Sequence, residues 1–174
     1  MEKSEEKRAE YTARLNRIPT EKRVYIDESG VNTCLQREYG RAPRGQKVED
    51  VKRGNRFERV NVIGALCNNE HFAVECYKHS ADSAFFEDWF EKYFLKKIPK
   101  GYTAIMDNAK YHPKKRLRRQ ARGKVRLLFL PPYSPDYNPI EKSWANMKRY
   151  LRDNIRNYQS VDSAIYDYFG VSII

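Results

Sequence analysis

The apolar run Tyr102-Thr103-Ala104-Ile105-Met106 leads directly into Asp107-Asn108, and it decides how the rest of the chain is interpreted. A short, continuous apolar run of this kind is typical of a strand that is covered on both faces of its sheet. A second such run occupies Val125–Leu130. The two runs predict central strands that lie between layers of helices.

Other strands and helices surround these two runs. The pattern predicts strands at Arg23–Asp27, closed by Ser29-Gly30, at Arg59–Cys67 and at His71–Lys78, with a hairpin turn at residues 68–70 and a short strand near Gln46–Val51. It predicts helices at residues 2–17, at Ser83–Lys97 with Asp82 as its cap, at Pro113–Arg122, after Asn138-Pro139, and at Ser160–Phe169. This order of elements predicts an α/β domain with a mixed sheet.

Length and composition restrict the class of protein. The 174 residues suffice for one domain, and 40% of them are hydrophobic. A net charge of +11 indicates a polyanionic partner, with nucleic acid favoured over an anionic membrane surface. The charged start and the lack of a long apolar stretch indicate no signal peptide and no membrane span. We therefore expect a cytoplasmic protein whose three cysteines, Cys34, Cys67 and Cys76, are free thiols.

Three carboxylates form a candidate site. Asp27 and Asp107 each end a predicted strand, and Glu141 lies in the first turn of a predicted helix. If the two strands are parallel neighbours, both aspartates emerge at one edge of the sheet, where α/β proteins bind ligands. Oxygen ligands of this kind suit hard divalent cations. The alternative interpretation is structural, because an Asp after a strand is often a turn residue and Glu141 with Asn138 has capping-box spacing.

The sequence around these carboxylates carries a specific resemblance. The three blocks are Ile26-Asp27-Glu28-Ser29-Gly30, then Met106-Asp107-Asn108-Ala109-Lys110-Tyr111-His112, and then the proline-rich Leu130–Glu141, which ends in Asn-Pro-Ile-Glu. Thirty-three residues separate Asp107 from Glu141. In this order and spacing, the blocks closely resemble the catalytic domain of the mariner superfamily of DDE transposases, especially its bacterial insertion-sequence branch. The resemblance covers about residues 20–155.

The resemblance implies a fold, a chemistry and a set of partners. It implies an RNase H-like fold, a mixed five-stranded sheet flanked by helices, in which Asp27, Asp107 and Glu141 hold two Mg²⁺ or Mn²⁺ ions. Two such ions clamp the attacking and leaving oxygens of an in-line phosphoryl transfer. The implied function is DNA cleavage and strand transfer during transposition of an insertion sequence. The implied partner is double-stranded DNA, at the transposon ends and at the target, bound by a homodimer in the nucleoid.

A basic segment follows Asp107. No acidic residue lies between Asp107 and Asp136, and we expect this segment and the helix of Glu141 to face DNA phosphates. The predicted DNA-binding residues are Lys110, His112, Lys114, Lys115, Arg116, Arg119, Lys148 and Arg152. The alternatives are an exposed face without a partner, and for His112 a cap or turn residue. Tyr133 and Tyr137 either order the proline-rich loop or stack on a base. A second basic stretch lies within residues 37–56.

The chain departs from the family at its start. Complete relatives carry helix-turn-helix modules ahead of the catalytic domain, and only about twenty residues precede the first predicted strand here. We therefore divide the chain into a helical linker at residues 1–21 and a catalytic domain at residues 22–174, with a helix-turn-helix half encoded separately. Three other functions remain open: an inert DNA-binding remnant of a truncated transposase, an RNase H-type nuclease, and a protein that binds a membrane surface.

Overall fold

A mixed five-stranded sheet forms the centre of the computed structural model, which describes residues 5–32, 59–132 and 134–171. Its strands are β1 (Arg23–Asn32), β2 (Arg59–Cys67), β3 (Glu70–Tyr77), β4 (Thr103–Met106) and β5 (Arg126–Phe129). Their order across the sheet is β3-β2-β1-β4-β5. Strands β1, β2 and β3 pair antiparallel, whereas β4 runs parallel to both β1 and β5. The predicted α/β fold with a mixed sheet is confirmed.

Helices cover both faces of this sheet. They are α1 (Glu5–Asn16), α2 (Ser83–Trp89), α3 (Leu95–Lys97), α4 (Lys114–Ala121), α5 (Ile140–Asn154) and α6 (Val161–Phe169), with 3₁₀ turns at Thr20–Lys22, Pro135–Tyr137 and Ile155–Asn157. The predicted helices are all found, with ends shifted by a few residues. The strand predicted near Gln46–Val51, Cys34 and the basic stretch of residues 37–56 lie outside the described residues.

Strand β1 continues past its predicted end. Ser29 and Gly30 were expected to close the strand, but they pair in the ladder with Val62 and Asn61 of β2. The reason is that β2 is long enough to supply a partner along the whole extension, which a local turn signal does not reveal. The predicted turn between β2 and β3 is confirmed. Asn68 and Asn69 both have positive φ, the conformation that a two-residue type I′ hairpin requires.

The aromatic helix predicted at Ser83–Lys97 contains a π-helical segment. Asp82 caps the start of α2, since its Oδ1 accepts the backbone N–H of Phe85 at 2.8 Å. The π-helical segment Phe90–Phe94 then connects α2 to α3. The rings of Phe90 and Phe94 stack with centroids 4.9 Å apart, and both are fully buried. The wider turn thus places both rings in the core.

The sheet separates two layers of the hydrophobic core. On one face, α2, α3 and α4 pack around Val24, Ile26 and Met106. On the other face, the apolar side of α5, made of Ile140, Trp144, Met147 and Leu151, packs with α6 against β1, β2 and β3. Alternate residues of β1 therefore face different layers, and the predicted orientation of Glu28 away from Asp27 is confirmed, because each contacts a different layer.

Helix α1 lies on the part of the second face that α5 leaves uncovered. Tyr11 is buried against Ile105 and Leu130, and its ring packs 5.0 Å from that of Tyr137. Arg8 forms an ion pair with Asp136. The N-terminal helix therefore holds the loop that precedes α5, and its contacts with Tyr137 favour the loop-ordering role of that residue; Tyr133 lies outside the described residues.

Two findings bear on the environment of the protein. Cys67 and Cys76 are free thiols, as predicted for these two cysteines. Among the described residues, no helix is both long and apolar enough to cross a membrane.

We expect the substitution Leu151→Ala to test the packing of α5. Leu151 is fully buried between the helix and the sheet, so its truncation removes apolar contacts and leaves a cavity. The expected loss in the free energy of unfolding is about 2–5 kcal/mol, measured by urea denaturation. Asn146→Ala, at an exposed position of the same helix, is the matched control and is expected to change stability by less than about 0.5 kcal/mol.

Candidate active site

The pairing of β1 with β4 brings two carboxylates to one edge of the sheet. The parallel register pairs Tyr25 with Ile105, and Asp27 and Asp107 each lie two residues further along. Parallel strands share their carboxyl edge, so both aspartates emerge there side by side. The juxtaposition that the sequence predicts for these two residues is present in the structure.

Glu141 lies near the same edge of the sheet, on the face that α5 covers. It lies in the first turn of α5, whose buried side packs on the sheet. The pKa of Asp27 is raised to about 7, chiefly by burial and then by the negative charge of Glu141, with a smaller contribution from Asp107. Asp27 therefore lies within electrostatic range of both Glu141 and Asp107. These three carboxylates make up the acidic centre.

Trp144 fixes the position of Asp27. Its indole Nε1–H donates a hydrogen bond of 3.0 Å to Asp27 Oδ2, and the indole is itself buried. Gly64, the partner of Asp27 in the β1–β2 ladder, makes room for this ring. A Cβ on Gly64 would lie 3.3 Å from Trp144 Cη2 and 3.3 Å from Val74 Cγ2. A larger residue there would push the indole away from the carboxylate.

Asp107 is held by the turn that follows it. The backbone N–H of Ala109 donates to Asp107 Oδ1 at 3.0 Å, so Asp107 does serve as a turn residue. Its side chain nevertheless remains 51% exposed. The structural and functional interpretations of this residue are thus compatible, because one carboxylate can accept the turn bond and still face the site.

The capping alternative for Glu141 does not hold. Among the residues that the structure describes, no side chain caps the start of α5, and the buried Asn138 Oδ1 has no hydrogen-bond partner. The Glu141 backbone N–H instead bonds to the carbonyl oxygen of Asn138 at 3.1 Å. Glu141 is exposed in the first turn of α5.

The described residues contain no group of three or more His, Cys, Asp or Glu side chains that already has the arrangement of a metal-ligand set. The acidic centre nevertheless fits a divalent cation by its chemistry, since it consists of hard oxygen donors whose mutual repulsion a cation would relieve.

The predicted DNA-binding residues fall into three groups. Lys110, Lys115, Arg119 and Arg152 are exposed, and Lys114 and Lys148 are half-buried. Arg116 is exposed but contacts Glu87 of α2 at 3.2 Å. The segment without acidic residues is therefore not a surface of one sign, because the fold brings a carboxylate from another helix to its side.

His112 is placed differently from the prediction. The residue is 7% exposed and its ring packs 4.1 Å from that of Phe86. A DNA phosphate at the surface would not reach it, so we do not include His112 in the proposed DNA-binding surface. Its ring nitrogen Nδ1 instead lies 3.2 Å from Asp107 Oδ1.

Sequence reasoning missed the residues that hold the carboxylates. Trp144 was recognised only as part of the apolar side of α5, and His71 was not recognised at all. His71 Nε2 shares a hydrogen bond with Ser143, and its ring packs 5.7 Å from that of Trp144. Burial lowers the pKa of His71 to about 4. No local pattern identifies such contacts, since they join β3 to α5 across more than seventy residues.

Comparison with known proteins identifies the family. Residues 22–164 match the family model of the DDE superfamily endonucleases. The chain belongs to this family of DDE endonucleases. No curated protein sequence shows a significant match.

Solved structures with a similar fold include several of Mos1 transposase. The chain resembles a Mos1 paired-end complex with the left transposon end (TM-score 0.72, 17% identity, covering 98% of this chain and 54% of that one). It also resembles the Mos1 mariner paired-end complex with Mn (TM-score 0.69, 17% identity, 95% and 53% covered) and the catalytic domain of Mos1 mariner transposase (TM-score 0.59, 13% identity, 95% and 78% covered). These similarities confirm the RNase H-like fold. The chain spans about half the length of the transposase chains in the two complexes.

The raised pKa of Asp27 predicts a specific dependence of stability on pH. The folded pKa of about 7 lies above the unfolded value of 3.8, so the folded state binds more protons and loses stability as the pH rises between these values. With EDTA present, we expect Asp27→Asn to stabilise the chain by a few kcal/mol at pH 8, at about 1.4 kcal/mol per pKa unit.

The measurement is urea denaturation of the parent and the variant at pH 8 and pH 5. The gain from Asp27→Asn should be clearly smaller at pH 5, where the folded parent carries a protonated Asp27. Asp153→Asn, at an exposed position of α5, is the control. An equal gain at both pH values would contradict this account of Asp27.

Proposed function

We propose that this chain is the catalytic domain of a DDE transposase that cleaves DNA and joins strands during transposition of an insertion sequence. The observation that carries the proposal is the acidic centre, in which Asp27, Asp107 and Glu141 come from two adjacent parallel strands and one helix to a single sheet edge. These are the carboxylates of the three sequence blocks that resemble mariner transposases. Membership of the DDE endonuclease family supports the same chemistry.

Asp27, Asp107 and Glu141 are the proposed catalytic residues and would hold two Mg²⁺ or Mn²⁺ ions. A similar solved structure is that of a Mos1 mariner complex with Mn, which supports a divalent cation here. When bound, such ions neutralise the phosphate charge and lower the pKa of a bound water. The raised pKa of Asp27 favours this role, because a cation would offset the burial of its charge and the nearby charges of Glu141 and Asp107.

The protein's own contribution to the reaction is positioning. Trp144 holds one oxygen of Asp27, and the Ala109 backbone holds one oxygen of Asp107. The remaining carboxylate oxygens are left to act as ligands. Phosphoryl transfer requires little more of the protein than this positioning and the neutralisation of charge.

The proposed DNA-binding surface consists of Lys110, Lys114, Lys115, Arg116, Arg119, Lys148 and Arg152. Lys148 and Arg152 lie on α5 at helical spacing from Glu141, so they would contact phosphates near the acidic centre. Lys114 lies at the start of α4, close to the turn after Asp107, since its Nζ donates to Asn108. Contacts with phosphates position DNA without reading its sequence.

The remaining assignments complete the proposal. Residues 22–174 would form the catalytic domain and residues 1–21 a helical linker, with DNA sequence read by a separately encoded helix-turn-helix half. The active form would be a homodimer on the double-stranded DNA of transposon ends and target, in the cytoplasm at the nucleoid. The contacts of α1 with the loop before α5 support a linker that is anchored to the catalytic domain.

The first test is a Mn²⁺ titration of the parent, Asp27→Asn and Asp107→Asn, each with a short DNA duplex at low salt. We expect each substitution to abolish Mn²⁺-dependent nicking and to weaken Mn²⁺ binding, because each removes a charged ligand. DNA affinity should stay within about threefold, since phosphate contacts supply most of it. Asp153→Asn is the matched control on α5.

The outcomes separate the candidate functions. Nicking retained by Asp107→Asn would contradict the proposed catalytic centre. DNA binding without any carboxylate-dependent Mn²⁺ binding would indicate an inert DNA-binding remnant. Cleavage confined to RNA–DNA hybrids would indicate an RNase H-type nuclease.

The DNA-binding surface makes a prediction about salt dependence. We expect the double substitution Lys115→Ala/Arg119→Ala to weaken binding to unrelated duplexes equally and to reduce the slope of log affinity against log salt by roughly one to two. Lys96→Ala, at an exposed lysine of α3 outside the surface, is the control. Binding is measured by fluorescence anisotropy across a range of salt concentrations. A parental slope in the double variant would contradict the assignment of Lys115 and Arg119 to the DNA-binding surface.

A further inference from the structure

A buried histidine connects Asp107 with a carboxylate that the proposed chemistry does not use. His112 Nδ1 lies 3.2 Å from Asp107 Oδ1, and its Nε2 lies 3.9 Å from Glu28 Oε1. The histidine side chain is only 4% exposed. We propose that His112 is a positioning residue that orients the Asp107 carboxylate for metal binding, and that Glu28 acts through His112.

The contact of His112 with Asp107 has a defined direction. Nδ1 faces two oxygens of the same residue, the carboxylate Oδ1 and the backbone carbonyl oxygen at 3.4 Å. Both oxygens are acceptors, so the hydrogen on this side of the ring lies on Nδ1. The ring therefore restrains the Asp107 side chain from the face that is opposite to α5.

The ring of His112 is held in place by its surroundings. It packs 4.1 Å from the ring of Phe86 and 4.7 Å from that of Tyr111. Tyr111 also donates its hydroxyl hydrogen to Glu28 Oε2. Tyr111 thereby fixes both the ring and the carboxylate that faces the other ring nitrogen.

Glu28 and His112 face each other without forming a hydrogen bond. Glu28 Oε1 and His112 Nε2 are both buried and neither has a hydrogen-bond partner among the described residues. Their separation of 3.9 Å lies just beyond hydrogen-bonding distance. Because an unsatisfied buried polar group is costly, these two atoms are each other's nearest available partners, and one proton shared between Nε2 and Oε1 would satisfy both.

In metal sites generally, neighbouring groups orient the residues that bind the metal. A ligating carboxylate is itself held by neighbouring groups, and losing such a neighbour weakens metal affinity by about 10- to 100-fold. Asp27 already has such a neighbour in Trp144. His112 supplies the equivalent for Asp107 from the opposite face of the sheet. The inference rests on the proposed function, because it requires Asp107 to be a metal ligand.

A pair of matched substitutions tests the role of His112. The amide nitrogen of Asn can take the place of Nδ1, whereas the amide of Gln takes the place of Nε2 and leaves Asp107 unsupported. We expect His112→Gln to weaken Mn²⁺ affinity by about tenfold and His112→Asn by less than about threefold. Affinity is measured by electron paramagnetic resonance of free Mn²⁺ in the presence of a DNA duplex, and thermal unfolding is measured for both variants.

A double-mutant cycle tests whether Glu28 acts through His112. Glu28→Gln alone should weaken Mn²⁺ affinity several-fold, and it should add nothing in the His112→Gln background. Tyr111→Phe should reproduce part of the Glu28→Gln effect, because it releases the carboxylate without removing it.

The outcomes distinguish this inference from a purely structural role and from the proposed function. Equal losses for His112→Asn and His112→Gln that follow their losses in thermal stability would overturn it, as would additive effects of the Glu28 and His112 substitutions. Parental Mn²⁺ affinity in His112→Gln would overturn this inference alone. Absence of Asp107-dependent Mn²⁺ binding in the parent chain would overturn the proposed function together with it.

Discussion

The structure depends on the parallel pairing of β1 with β4 at the centre of the sheet. This register places Asp27 beside Asp107, and the fold thus carries two carboxylates at the carboxyl edge of its central strands. The pKa of Asp27 is raised chiefly by its burial, then by Glu141, and only slightly by Asp107. The helices on both faces supply this burial while leaving the carboxyl edge of the two strands open to Asp107 and Glu141.

Each face of the sheet supports a different carboxylate. The layer of α5 and α6 provides Trp144 for Asp27 and presents Glu141, whereas the layer of α2 and α4 encloses His112 behind Asp107. The acidic centre therefore lies where the two layers meet. A distortion of either layer would displace one carboxylate relative to the others, which explains why the packing of both is close around the site.

The sequence predicts the parts of this structure that depend on local patterns. The apolar side of α5, the Asn68-Asn69 turn and the cap at Asp82 all follow from residue type and spacing. The positions of Asp27, Asp107 and Glu141 follow from the same patterns once the parallel pairing is assumed. For this reason, the five-stranded fold can be predicted from the sequence.

Contacts between elements that are far apart in the sequence cannot be predicted from local patterns. Neither the bond from Trp144 to Asp27 nor the ion pair of Arg116 with Glu87 has a local signature. The burial of His112 depends on the aromatic residue Phe86, which belongs to another helix. The predictions therefore fail where the orientation of a side chain depends on the way two helices pack.

The contacts of α1 with the loop before α5 have a consequence for how the protein folds. Arg8 and Thr12 bond to Ser134 and Tyr137, residues that lie more than 120 positions later in the chain. Closing so long a stretch of chain is entropically costly and slow compared with forming local contacts. During synthesis, the first helix must wait for nearly the whole domain before its partners exist. The loop that leads to Glu141 therefore cannot be held by α1 until that later part of the chain has been made.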